Sequence, residues 1–259
     1  FFGGENMERI VSPDNPKIQQ WSRLKQKKYR KEMGAFLLES VRGIQEALDQ
    51  GVLPQAIAVR DGTSMPEGYQ QHLKGVPVYI LSEKAFQKLS GTENSMGILA
   101  VFPCKKHSMR ELLEEERILF LDGIQDPGNL GTILRTASAF AVNGVILGSG
   151  TVDLYNEKVL RSTLGGLFPL KILEGEYKEL RLLQKHGYRV AGGDLKGTPF
   201  QKWQPEGKWV LGIGGENRGL SKDFREIMDE GVTIPISGPM ESLNAGVAAG
   251  ILMSKFRRE

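Results

Sequence analysis

The sequence predicts an α/β protein: a mostly parallel sheet with helices on both faces, preceded by a smaller α/β unit. Three observations predict this. Short apolar runs of strand length alternate with helix-length amphipathic runs along most of the chain, a pattern that builds parallel sheets covered by helices. A charged stretch over residues 103–117, without a core pattern, divides the 259-residue chain as a linker does. The 40% hydrophobic and 25% charged residues are ordinary for a globular protein. The expected division is residues 7–103, a linker at 104–117, and residues 118–259.

Residues 1–6 precede Met7, and the natural chain is expected to begin at that methionine. Pro13 and Pro16 make the opening extended or turned. The pattern then predicts one helix over 16–31. Ile18, Trp21, Leu24 and Tyr29 face inward on it, and Arg23, Lys25, Lys27, Lys28, Arg30 and Lys31 face outward. Residues 7–31 carry eight Lys or Arg against two acidic residues, although the net charge of the whole chain is only +3. That local excess suits a polyanion. Trp21 lies beside the basic face and has the surface to stack a base, although core packing is the commoner use of such a residue. The rest of the unit reads as strand 36–39, helix 41–50 closed by Gly51, strand 56–59, helix 68–74, strand 76–81, helix 83–89, a polar loop at 92–95 and strand 97–102. Nothing in it looks catalytic, so its expected role is binding.

The second unit reads as strand 118–121, helix 130–141, strand 144–147, helix 156–164, strand 170–173, helix 176–186, strands 188–191 and 209–213, helix 221–229, strand 232–236 and helix 242–256. Trp203 and Trp209 flank one of these strands and are expected to pack. A single cysteine, Cys104, excludes an intrachain disulfide and suits a reducing compartment such as the cytoplasm. His72, His107 and His186 show no metal-ligand spacing, so no metal is expected. No apolar run reaches the ~20 residues of a membrane span, and no signal peptide is visible.

Three segments of the second unit share one form, a strand followed at once by glycine, asparagine and charged residues. The first is Asp122-Gly123-Ile124-Gln125-Asp126-Pro127-Gly128-Asn129, leading into a helix that carries Arg135. Asp126-Pro127-Gly128 is turn chemistry, and Asn129 is expected as the N-cap. Arg135 reads equally well as a surface charge. Its offset of six residues from Asn129 puts the two on different helical faces, so they converge only if Asn129 lies in the turn. The second is Gly212-Ile213-Gly214-Gly215-Glu216-Asn217-Arg218-Gly219-Leu220-Ser221, whose glycines permit close backbone approach. It matches neither a dinucleotide fingerprint nor a phosphate-binding loop with its lysine. The third is Ile234-Pro235-Ile236 followed by Glu241-Ser242-Leu243-Asn244. There Ser242 is expected to cap a thin, close-packed helix containing Ala245, Gly246, Ala248, Ala249 and Gly250.

Together these segments resemble the three motifs of the SpoU (TrmH-type) RNA 2′-O-ribose methyltransferases of the SPOUT class. The resemblance covers nearly the whole chain. Asp153-Leu154-Tyr155-Asn156 with Lys158, Val159 and Arg161 fits the segment between the first two motifs, whereas Ser162-Thr163-Leu164-Gly165-Gly166 departs from the family form. Phe36-Leu37-Leu38-Glu39 looks like part of the ribosomal-protein-like RNA-binding domain that many members carry. The resemblance implies a deep trefoil knot, a rare exception to unknotted topology, and S-adenosylmethionine as methyl donor. It implies a homodimer with the site near the subunit interface, and an RNA substrate, ribosomal before transfer RNA. Gly214, Gly215, Leu211, Ile234, Ile236, Leu243 and Asn244 match donor-binding positions. Arg135, Asn129, Glu216, Ser242 and Asn244 match catalytic motif residues. Arg23, Lys27, Lys28, Arg30 and Arg135 are the expected RNA contacts.

The implied chemistry constrains these roles. A ribose 2′-hydroxyl attacking a sulfonium methyl group must lose a proton, and arginine is a poor base with a pKa above ~12. Arg135 is better suited to holding a phosphate through its fork and to stabilising charge on the 2′-oxygen. Glu216 is the other titratable candidate, with the duty of fixing Asn129 or Arg135 as its simpler use. Two readings from other classes stand beside this one: a non-catalytic RNA-binding module, and a nucleotide-dependent enzyme using the glycine-rich loop. Asp194 and Lys196, after strand 188–191, are candidates to touch the donor or to begin a loop.

Overall fold

The structure, a computed structural model, describes residues 7–92, 94–216 and 218–256. Expectations placed on residues 1–6, Glu93 and Asn217 lie outside the described residues. The described chain packs as two compact units: one runs to Lys105 and adds Asp153–Phe168, and the other is Lys106–Val152 with the chain from Pro169 onward.

The first unit contains β1 (Met7–Ile10), α1 (Pro16–Arg23), α2 (Lys27–Met33), β2 (Ala35–Leu38), α3 (Val41–Asp49), β3 (Ala56–Arg60), α4 (Tyr69–His72), β4 (Val78–Leu81), α5 (Glu83–Leu89) and β5 (Ile98–Pro103). Asn15, Ser40 and Ser82 start α1, α3 and α5 by accepting a backbone N–H of the first turn. The sheet order is β1-β4-β3-β5-β2, with β5 antiparallel to both neighbours. β1 was not anticipated, because three of its four residues are exposed and leave no alternation to read.

Two expectations on the basic N-terminal segment are corrected. The single helix over 16–31 is two helices, broken at residues 24–26. Arg30, expected outward as an RNA contact, is only 6% exposed. Its guanidinium donates at 2.8 Å to the carbonyl oxygens of both Leu24 and Lys25 and forms an ion pair with Asp153. The break frees those carbonyls, and the arginine satisfies them where a continuing helix would have done so. Trp21 is in the core, edge-on to Tyr79. On the other face of the sheet Phe36 stacks on Tyr155 at 4.5 Å and Phe102 meets Phe168 at 5.2 Å. Those ring contacts hold Asp153–Phe168 to this unit.

The second stretch of chain continues with α6 (Met109–Leu112), β6 (Arg117–Asp122), α7 (Pro127–Ala139), β7 (Gly144–Leu147), α8 (Glu157–Thr163, in the first unit), β8 (Lys171–Glu174), α9 (Tyr177–Lys185), β9 (Arg189–Pro199), β10 (Trp209–Gly214), α10 (Lys222–Ile227), β11 (Glu230–Thr233), α11 (Ala245–Met253) and a 3₁₀ turn at Ser254–Phe256. The six strands form a parallel sheet in the order β11-β9-β10-β6-β7-β8. Ile118 to Leu121 are all buried, as in a strand covered on both faces. Leu180, Leu183 and Phe224 from α9 and α10 surround Phe120 on one face, while α11 lies against β9, β10 and α7.

The expected linker is not free of core residues. Ser108 and Glu111 form a capping box that starts α6, and Leu112 is buried beside Ile118 and Phe120. β9 runs past residue 191 to Pro199, so Asp194 and Lys196 belong to a strand. The extension exists because β11 pairs twice with β9, first at Gly192 and then, after a register shift, at Thr198. β6 sits between β10 and β7, where the strand order turns back on itself. Open α/β sheets bind ligands outside the carboxyl ends of strands at such points.

Candidate active site

β6 ends at Asp122 and β10 at Gly214, and the ladder places these two residues opposite each other. The Asp122 side chain is buried, and a buried carboxylate requires partners. Its Oδ2 accepts the Ser221 backbone N–H at 2.7 Å, and its Oδ1 accepts the Tyr177 hydroxyl at 3.0 Å. Tyr177 Oη also lies 2.8 Å from Ser221 Oγ, which accepts the Phe224 N–H and caps α10. Burial pushes the Tyr177 hydroxyl above its ordinary pKa; the Ser221 bond opposes this, and Asp122 adds to it. Tyr177 is therefore a neutral donor to Asp122 and not a base.

The segment between β10 and α10 folds tightly over this anchor. A Cβ on Gly214 would stand 2.1 Å from the carbonyl carbon of Gly219, so only glycine fits there. Gly219 itself has φ +61°. The Gly215 N–H donates to the Asp122 carbonyl at 3.1 Å, and the Gly219 N–H donates to the Gly215 carbonyl at 2.8 Å.

Glu216, carried on that loop, is held by two asparagines. Asn129 Nδ2 donates to Glu216 Oε1 at 2.6 Å, and Asn244 Nδ2 donates to the same oxygen at 2.7 Å. Asn244 Nδ2 also donates to Asn129 Oδ1 at 2.8 Å. Each asparagine is fixed by a helix start. Asn244 is the N-cap of α11, its Oδ1 accepting the Gly246 and Val247 N–H groups. Asn129 lies in the first turn of α7, where Asp126 accepts its N–H at 2.8 Å. The Thr132 side chain packs at Gly246, so α7 and α11 run close together. Two helix N-termini thus bring their partial positive charge to one carboxylate.

Two cavities meet here. One, of about 390 Å³, is bordered by Asp122, Asp126, Asn129, Tyr177 and Ser221. The other, of about 420 Å³, is bordered by Ile234, Ile236, Leu243, Ala248 and Leu252 with Asp194 and Arg225. Gly215, Glu216, Arg218, Gly219 and Ala245 border both. Asp194 forms an ion pair with Arg225, which in turn donates to the Leu220 carbonyl at 3.2 Å.

The structure distributes the expected site residues unevenly. Asn129, Glu216 and Asn244 converge. Gly214, Gly215, Ile234, Ile236, Ser242 and Leu243 border the 420 Å³ cavity. Leu211 is buried inside β10 and borders neither cavity. The expected caps are corrected: Asp126 caps α7 where Asn129 was expected, and Asn244 caps α11 where Ser242 was expected. With Asn129 inside the helix, Arg135 does not converge with it. Arg135 is exposed on α7, borders neither cavity, and makes no hydrogen bond or ion pair among the described residues. Sequence reasoning missed the Asp122–Tyr177–Ser221 anchor and the place of Arg218 between the cavities. A polar residue ending a buried strand was the available signal for Asp122; Tyr177 had none. Among the described residues no group of His, Cys, Asp and Glu is arranged to hold a metal ion.

The fold and the composite site define a class, and comparison with known proteins agrees with it. Residues 116–254 match the SpoU rRNA Methylase family, and the chain belongs to that family. Residues 15–100 match the MRM3-like substrate binding domain. Among individual relatives, the 23S rRNA (guanosine(2553)-2′-O)-methyltransferase RlmP of Bacillus subtilis is 36% identical over 97% of this chain and 100% of its own length. The structure of an AdoMet-bound rRNA methyltransferase from Sinorhizobium meliloti superposes with a TM-score of 0.86 at 26% identity, over 96% of this chain and 97% of that one. The SpoU methyltransferase AviRb from Streptomyces viridochromogenes, also with AdoMet, gives a TM-score of 0.81 at 25% identity, over 93% and 97%. The expected fold class, a SPOUT-type parallel α/β domain after a smaller α/β domain, is the one found.

Proposed function

We propose that this chain is an S-adenosylmethionine-dependent methyltransferase acting on a ribose 2′-hydroxyl of RNA, with 23S ribosomal RNA the first substrate to test and transfer RNA the second. The observation that carries this reading is the shared wall. Two ligands seated in the adjoining cavities meet at Glu216 and Arg218. The rRNA 2′-O-methylation for which one similar protein is named and the AdoMet bound in two others support the same pairing.

The 420 Å³ cavity fits such a donor. Its size is that of a small-molecule site, and Ile234, Ile236, Leu243 and Ala248 offer apolar surface for an adenine. Glu216 and Asp194 suit cationic groups, and Arg218 and Arg225 suit a carboxylate. When bound, the donor supplies an electrophilic methyl group. The chain's own residues do the rest. Oε1 of Glu216 is occupied by two amides, while Oε2 makes no hydrogen bond to the described residues. Oε2 would accept the proton of the 2′-hydroxyl. The N-termini of α7 and α11 stabilise negative charge at that point. Fixing both reactants side by side removes part of the entropic barrier.

The first unit binds the RNA. Arg23, Lys27 and Lys28 are exposed and form no ion pair with the described residues. The chain works as a homodimer through the α7–α11 face, where Val247 is 52% exposed. There Arg135 holds a substrate phosphate at the interface. The cytoplasm is its compartment, in keeping with one cysteine and an RNA substrate, and no described helix is long and apolar enough to cross a membrane. Titration calorimetry tests the donor assignment: one S-adenosylmethionine per chain and no binding of ATP are expected. Binding of ATP alone favours the nucleotide-dependent reading, and binding of neither favours a bare RNA module.

A further inference from the structure

The first unit holds a cavity of about 370 Å³ that the methyl-transfer reading does not use. It opens where α1 passes over the sheet. Ala35 and Ala56 are too small to fill the space beneath the helix, and Val101 stands opposite Ala56 in the ladder. Trp21 and Tyr79 make a rigid aromatic wall, with ring centroids 5.2 Å apart and planes at 80°. Lys17 Nζ lies 4.0 Å from the Tyr79 ring centroid, donates to the Tyr79 hydroxyl and pairs with Glu8 at 3.9 Å, which fixes the ammonium on that wall.

The remaining polar groups are two carboxamides. Gln20 from α1 and Gln55 just before β3 both border the cavity, both are exposed, and neither side chain makes a hydrogen bond to the described residues. A carboxamide presents one acceptor and two donor hydrogens in a plane, which matches the edge of a nucleobase. The same unit carries further cations: Arg23 on α1, Lys27 and Lys28 on α2 and Lys25 between the two helices are exposed and form no ion pair with the described residues. Apolar floor, aromatic wall, planar amides and nearby cations are the elements by which proteins hold an unstacked base of a single strand while cations hold its phosphates.

We propose that this pocket takes one unstacked base of the RNA substrate, its edge read by Gln20 and Gln55 and the flanking phosphates held by Lys27 and Lys28. The proposal rests on the reading of the chain as an RNA-binding enzyme, and it adds a point of base selection remote in sequence from the transfer site. A free nucleotide has the same chemistry as a base in a strand, but it lacks the flanking phosphates that Lys27 and Lys28 would hold.

Fluorescence anisotropy with labelled single-stranded poly(A), poly(C), poly(G) and poly(U), over a range of salt concentrations, tests this on the full chain. The wild type is expected to prefer one base. The Gln20→Ala/Gln55→Ala variant is expected to lose about tenfold in affinity for that base and to level the preference, with an unchanged salt slope. Lys27→Gln/Lys28→Gln is expected to weaken all four polymers alike and to flatten the salt slope. Both variants replace exposed side chains, and unchanged thermal melting confirms that they fold. If the glutamine variant binds with unaltered affinity and base order, the pocket assignment is overturned while the RNA reading stands. If the wild type binds no RNA, both are overturned. Saturation by free nucleoside monophosphates in place of RNA overturns the pocket's assignment to a strand.

Discussion

Asn129 and Asn244 lie 115 positions apart in sequence, yet they share a 2.8 Å hydrogen bond and donate to the same oxygen of Glu216. Each stands at the start of a helix, so the triangle is held by two backbone caps and not by its own three bonds alone. Such convergence leaves one carboxylate oxygen committed and the other available.

Replacing the carboxylate tests that division. Glu216→Gln keeps the size of the side chain but removes the proposed proton acceptor. The methyl-transfer rate is expected to fall by about 10²–10⁴-fold, the usual worth of a general base. Single-turnover kinetics with saturating donor reads this directly, and a rate within a few-fold of wild type assigns the proton to another group.

Gly214 is a steric requirement. In Gly214→Ala the new methyl group meets the backbone of Gly219 and Leu220, which cannot swing aside as a side chain would. The loop carrying Glu216 has to shift. A loss of about 1–3 kcal/mol in stability is expected, with weaker donor binding. Denaturant unfolding and calorimetry on one preparation separate the two effects.

Arg30 holds three acceptors from within the first unit. Arg30→Ala leaves the largely buried Asp153 carboxylate without its counter-ion and two carbonyls unpaired. Destabilisation of about 3–5 kcal/mol is expected from breaking a buried pair at one end. Arg30→Met with Asp153→Leu removes both charges and is expected to recover a large part of that loss in urea unfolding.

These residues also show what could be read from the sequence. The alternation of strands and helices and the three motif segments were legible because each is a local pattern. The start of α7 was misplaced although the signal was present: Pro127 suits the first helical position, which makes Asp126 the cap. Arg30 was misread for a different reason. Its position on the wheel of one continuous helix faces solvent, but the break at 24–26 and the carbonyls it frees, together with Asp153, 123 residues away, draw it inward. Tyr177 begins an ordinary amphipathic helix, and nothing near it announces a bond to Asp122. Long-range partners of this kind have no local signature.

The capping box at α6 gives a pH-dependent prediction. The Ser108 backbone N–H, then the Ser108 hydroxyl, hold the Glu111 carboxyl down at about 2 from an ordinary 4.5. A carboxylate depressed on folding contributes stability that is present above the unfolded pKa. That contribution is lost as pH falls from about 4.5 through about 2. Ser108→Ala removes the hydroxyl bond and is expected to move the Glu111 midpoint upward in a carbon-13 NMR titration. An unmoved midpoint assigns the shift to the backbone bond and to His107.

The most direct measurement is a nucleotide-resolution map of 2′-O-methylation on ribosomal RNA incubated with the purified chain and S-adenosylmethionine. Expected is methylation of one ribose in 23S rRNA, absent without the donor and absent with Glu216→Gln. A methyl group found on a base, or no methyl group on ribosomal or transfer RNA despite donor binding, would contradict the account.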